Sequence, residues 1–143
     1  MIVTSLVLHE RAVGGGRAYG DNVGFLVNLS GRKSFSPDAG WYVGDLAQVN
    51  TMKFITGAPA FAVEVRSDCD YKPRAERAIK DKIRDYFAAG TLVVWDVDLL
   101  DDDVIRKYTS NAPSNPTIYR RGEIADAEPA VRGWTIPVDD VFK

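Results

Sequence analysis

The sequence predicts one α/β domain built on a mixed β-sheet flanked by helices. Two apolar runs, residues 60–65 (AFAVEV) and 91–97 (TLVVWDV), read as buried strands. Between them residues 73–89 form the clearest helix, with Pro73 in its first turn and Gly90 at its C-terminal end. Strand, helix, strand in that order is a crossover unit. It sets two strands parallel and lays the helix over one face. The 143 residues suit a single core, so one domain over 1–143 is expected.

The other elements follow along the chain. Residues 2–13 read as a short helix with Ile2, Leu6 and Val13 as apolar points. Gly14, Gly15 and Gly16 end it and read as a flexible connection. They lack the Lys-Ser/Thr of a phosphate loop. Residues 23–29 (VGFLVNL) read as a strand, 28–32 as a turn and 37–43 as a short strand-like piece. Residues 44–58 read as loop. Residues 104–109 and 117–120 read as strands separated by a turn, Asn-Ala-Pro-Ser-Asn-Pro. Residues 131–142 end in a short strand or turn.

Composition removes several classes. Hydrophobic residues are 45% and charged residues 27%, which excludes a disordered chain or a fibre. The net charge of −2 gives no global field toward nucleic acid, so such a site must be local. One cysteine, Cys69, forbids an internal disulfide and fits a reducing compartment. It reads as a loop thiol. One histidine, His9, reads as a helix-surface residue and leaves no His/Cys zinc cluster. The apolar run Leu6-Val7-Leu8 is too short for a signal peptide, which needs roughly 7–15 apolar residues. A cytoplasmic protein with no membrane partner is expected.

The helix carries the first anomaly. At 100° per residue, Ile79, Tyr86, Ala75, Ile83 and Phe87 share one face, which packs on the sheet. Lys82 falls inside that arc. Its ammonium either snorkels to water or is held over carboxylates at a sheet edge. Glu76 also falls inside the arc and reads as a first-turn residue favoured by the helix dipole. Arg77, Lys80, Asp81, Arg84 and Asp85 make an ordinary solvated face.

Glu64 is the second anomaly. It interrupts a strand that otherwise reads as buried, where a lone carboxylate costs several kcal/mol unless paired or bound to a cation. Alternation puts Ala62, Glu64 and Arg66 on one face and Phe61, Val63 and Val65 on the other. Pro37-Asp38 reads, by itself, as a turn.

Taken in order, SPDAGWYV, PAFAVEVRS, DKIRDYFAAG, TLVVWDVD and the tail RGWTIPVDDVF resemble the Uma-type restriction endonuclease family, within the PD-(D/E)XK nuclease superfamily. The resemblance covers roughly residues 23–142. It implies a restriction-endonuclease-like fold and metal-dependent hydrolysis of DNA phosphodiester bonds by activated water. It implies Asp38 and Glu64 as ligands of Mg²⁺, with Mn²⁺ as substitute, and the Val65 carbonyl as a third ligand. It implies Lys82 as the catalytic lysine, supplied from the helix because Arg66 stands two residues after Glu64. Arg66, Ser67 and Tyr86 are implied to contact substrate or position neighbours, and a homodimer is implied by cutting of two strands. The chain departs from the family in Ala60, where an acid often follows the proline, and in a shortened N-terminal section, for which Glu10 is a substitute acid. These departures keep a second reading open: a catalytically inactive DNA-binding or regulatory module on the same fold.

Overall fold

A computed structural model describes residues 1–45, 54–100 and 103–142. Among these, six strands form the main sheet: β1 (Arg17–Tyr19), β4 (Ala39–Tyr42), β6 (Phe61–Val65), β7 (Val93–Asp98), β8 (Val104–Thr109) and β9 (Ala112–Arg120), adjacent in that order. β6 and β7 are parallel, with Glu64 beside Asp96, and the other pairings are antiparallel. The β6–β7 connection is the helix α2 (Pro73–Ala88), so the crossover unit stands as expected from sequence.

One face of the sheet takes α2. Ile83 and Tyr86 are buried against Ala62 of β6 and Val94 of β7, with Ile79 and Phe87 packed beside them. A small second sheet, β2 (Gly24–Leu29), β3 (Arg32–Phe35) and β5 (Phe54–Thr56), closes over the same helix. Phe35 of β3 stacks on Tyr86 with ring centroids 3.9 Å apart and planes inclined by 15°. Arg32 reaches across to Asp85 at 2.9 Å. Of the predicted helix face, Ala75 alone leaves the core and lines a cleft.

The opposite face takes α1 (Ile2–Val13) and the C-terminal segment, β10 (Ile124–Asp126), β11 (Thr135–Pro137) and α3 (Val138–Val141). Phe61, Trp95 and Trp134 interlock there. Trp134 Nε1 donates to Ser5 Oγ of α1 at 2.9 Å, and Trp95 Nε1 to the Asp126 carbonyl at 3.1 Å. Burying these indoles is favourable because their N–H groups keep partners.

Several sequence expectations need correction. Val13 is exposed, and only Ile2 and Leu6 of the predicted points are buried. The triple glycine is not simply flexible. Gly14 and Gly15 have positive φ, and Gly16 lies so close to the Trp41 indole that a Cβ would overlap it. Of the turn expected over 111–116, Asn111 is in a turn and 112–116 belong to β9, whose edge position tolerates Pro113 and Pro116. Short strands β1, β3 and β10 carry too few residues to announce themselves by alternation. Of the loop expected over 44–58, residues 46–53 lie outside the described residues, and 54–56 pair parallel with β2. No helix among the described residues is long and apolar enough to cross a membrane.

Candidate active site

The C-terminal end of β6 meets the start of β4 and the flank of α2, and this junction gathers the anomalous residues. Strand alternation sends Phe61 and Val63 into the tryptophan-rich core and leaves Ala62, Glu64 and Arg66 under α2. Glu64 is therefore held beside the helix by the burial of its neighbours.

Two α2 side chains reach it. Lys82 Nζ lies 2.8 Å from Glu64 Oε1, and the Tyr86 hydroxyl donates to Oε2 at 2.6 Å. Residues four apart on a helix share a face, so one carboxylate can meet both. Tyr86 is fully buried and clamped by Phe35, which fixes the hydroxyl. Burial and the adjacent Glu64 carboxylate push its pKa well up, so it stays protonated as a donor. Among the described residues, Lys82 has Glu64 as its one protein partner.

Asp38 precedes β4 and is locked to β6 by its backbone. Its N–H donates to the Val63 carbonyl at 2.9 Å, and its Oδ2 accepts the Val65 N–H at 2.7 Å. Pro37 is buried and anchors the turn, while Asp38 itself is exposed. Asp38, Glu64, Val65, Lys82 and Tyr86 thus come together. Burial raises the Glu64 pKa above its ordinary value, Lys82 and Tyr86 oppose that, and nearby Asp38 adds to it. Two carboxylates sharing a partly dehydrated site attract either a proton or a cation.

Arg66 does not join them. It is turned under α2, where Nε and Nη2 donate to Asp96 at 2.9 and 2.8 Å. Nη1 and Nη2 meet Glu76, Nη1 also reaches the Asp70 carbonyl at 3.4 Å, and the guanidinium lies over the Tyr71 ring. The substrate contact expected of Arg66 is corrected accordingly: its five N–H donors are engaged inside the protein. Glu76, expected to serve the helix dipole, is one of its partners. Ser67 is likewise occupied locally. Its N–H and Oγ both donate to Asp70 Oδ2, at 2.7 and 3.0 Å, capping a 3₁₀ turn over Asp68–Tyr71 that also carries Cys69.

Ala60 and Glu10 fall away from this junction. Ala60 lies at the opposite end of β6, where its carbonyl accepts the N–H groups of Leu92 and Val93. Glu10 accepts the Ala18 N–H at 2.8 Å at the far end of α1. His9 Nε2 donates to the Arg132 carbonyl at 3.0 Å and the ring sits against Trp41. Sequence reading overlooked Asp96 and Asp98, although each is an acid in an apolar strand, the signal that singled out Glu64.

The junction opens to solvent through two clefts of about 240 Å³ each. One lies under α2 and is lined by Glu64, Arg66, Asp70, Ala78 and Lys82. The other lies beside Asp38 and is lined by Ile2, Val3, Val97 and Leu99.

Comparison with known proteins gives the family and the fold. Residues 2–139 match the model of the Uma2 family, described as "Putative restriction endonuclease". A crystallised protein from Anabaena variabilis, described as a putative nuclease belonging to DUF820, superposes with a TM-score of 0.74 at 14% identity. The superposition covers 99% of this chain and 75% of that one, and establishes the fold. No curated protein matches the sequence.

Proposed function

The chain belongs to the Uma2 restriction endonuclease family, and on that premise we propose that it is a metal-dependent endonuclease acting on DNA. The observation that carries this reading is the convergence of Lys82 and Tyr86 on Glu64, beside Asp38, at the end of one strand.

The donor set fits a hard divalent cation. Asp38 and Glu64 supply carboxylate oxygens and Val65 a backbone carbonyl, the ligand type that Mg²⁺ prefers, with Mn²⁺ as substitute. Burial raises the proton affinity of Glu64, and a cation bound there would offset the cost of keeping the dehydrated carboxylate charged. When bound, such an ion polarises a phosphoryl oxygen and makes a coordinated water acidic. The chain's own groups do the rest. Tyr86 fixes Glu64 by holding Oε2. The Lys82 ammonium, already dehydrated in part, stabilises charge growing on the scissile phosphate and orients the attacking water. Water adds to phosphorus as the bond to the leaving sugar oxygen breaks, with no covalent protein intermediate. Cutting both strands of a duplex calls for two such sites, which a homodimer would supply.

A second reading is a DNA-binding module without catalysis. It is favoured by one observation: each carboxylate oxygen of Glu64 already accepts a hydrogen bond within the protein, Oε1 from Lys82 and Oε2 from Tyr86. Nicking of supercoiled plasmid with Mg²⁺ and then Mn²⁺ separates the two. Cleavage by the wild type, lost in Asp38→Ala and Lys82→Ala, is the expected result. No cleavage by folded protein that still binds DNA would favour the module.

A further inference from the structure

We propose that Arg66 is a positioning residue, a latch that fastens the first turn of α2 to the ends of β6 and β7 and so aims Lys82 at Glu64. The inference rests on the nuclease reading above. The latch is built from three chain segments. Asp96 stands on β7 beside Glu64, and its two carboxylate oxygens take Nε and Nη2 of Arg66 at 2.9 and 2.8 Å. Glu76, in the first turn of α2, takes Nη1 and Nη2 through its own two oxygens. The Asp70 carbonyl completes the set, and Tyr71 covers the guanidinium face.

The geometry suits arginine alone. Its planar fork meets one carboxylate on each edge, whereas a lysine ammonium is a single point of charge. Arg66 is buried, with 6% of its side chain exposed, and Asp96 with 3%. A dehydrated two-carboxylate clamp holds position more tightly than a solvated ion pair.

The mechanical consequence follows from helix geometry. Lys82 is six residues beyond Glu76 on α2, about 9 Å along the axis. The helix is rigid over that length, so anchoring Glu76 sets the height and rotation of Lys82 over β6. Arg66 lies two residues beyond Glu64 on the same strand face, so the latch and its target share one backbone. A displacement of about 1 Å in a reacting group can cost about 100-fold in rate.

Two variants test this in the intact chain. Glu76→Gln is expected to fold, because Glu76 is 40% exposed, and to break one arm of the latch. Arg66→Lys keeps the charge but cannot span both carboxylates. In plasmid nicking, we expect kcat to fall about 10-fold in Glu76→Gln and further in Arg66→Lys, with KM and salt dependence unchanged. Unchanged kcat in both variants would overturn the proposal and leave Arg66 as charge compensation only. A change in KM and salt slope at constant kcat would overturn it in favour of a phosphate contact.

Hydrogen exchange over residues 73–82, without DNA or metal, gives a second readout. Faster exchange in Glu76→Gln is expected, and equal exchange would overturn the latch. If the wild type cuts no DNA while exchange accelerates in the variant, the nuclease reading fails and the latch stands.

Discussion

Two ionic clusters join the same strand to the same helix, and they are built differently. Arg66, Asp96 and Glu76 form the first. Arginine and aspartate are nearly dry, with 6% and 3% of their side chains exposed, and each donor has a partner. Glu64 and Lys82 form the second, with 22% and 29% exposed, and one ammonium donor meets the carboxylate. A cluster that satisfies itself has no capacity left for a ligand. A cluster with raised proton affinity, a second acid nearby and open access to solvent retains that capacity. Two residues of spacing at the end of β6 separate a self-satisfied joint from the proposed site.

The largest effects should come from removing the acids of the second cluster. Asp38→Ala and Glu64→Ala are expected to bring nicking to background. A residue one step removed from a metal already costs 10–100-fold in affinity or activity. Lys82→Met should follow, with about 10²–10³-fold lost from kcat, as for other groups that stabilise developing charge. Lys82→Met should lower thermal stability less than loss of Arg66, since the Glu64–Lys82 pair is partly solvated and Glu64 keeps its Tyr86 partner. If Lys82→Met melts the protein while retaining cleavage, the two clusters have been assigned the wrong way round.

Arg66→Met sharpens the comparison from the other side. It leaves buried Asp96 with the more distant Arg106, at 3.7 Å, as a remaining cation, and breaking a buried pair from one side costs up to about 3–5 kcal/mol. Chemical denaturation should therefore show a much lower midpoint for Arg66→Met than for Lys82→Met. Equal midpoints would mean that water reaches Asp96 and that the first cluster is not dry.

How much of this was legible in the sequence depended on whether the signal was local. The parallel pair around α2 was legible because two apolar runs and a capped amphipathic helix follow one another within 38 residues, 60–97. Glu64 and Lys82 were legible because each violates the periodicity of its own element. Asp38 violates nothing locally. Only the order of motifs singled it out, because its hydrogen bond to the Val65 N–H spans 27 residues. Arg66 was expected to contact substrate or position neighbours, and the groups it meets in the fold were not legible. Its partners come from the neighbouring strand and the following helix, and the Glu64–Asp96 register that brings them together is a property of the sheet. Asp96 carried the same visible signal as Glu64, an acid within apolar sequence, and both turned out to be paired with a cation.

The smallest expected effect is also the one that reports most directly on Glu64. Burial raises its pKa above the ordinary value of 4.5, against the opposing pull of Lys82 and Tyr86. In the pH window just above 4.5 the folded chain therefore retains a proton that the unfolded chain has released. Folded protein then binds more protons than unfolded, so stability falls as pH rises through that window and levels off above the folded-state pKa. Glutamine cannot titrate, so Glu64→Gln should remove this descent while leaving the contributions of other groups. Melting temperatures of both proteins from pH 4 to 8, without divalent ions, make the comparison. The wild type should lose ground relative to Glu64→Gln as pH rises. Parallel curves would show that Glu64 titrates as a solvated carboxylate. The burial cost that makes this site attractive to a cation would then be absent. Adding Mg²⁺ should recover the lost stability in the wild type alone, since a ligand that binds only the folded, ionised site shifts the equilibrium toward it.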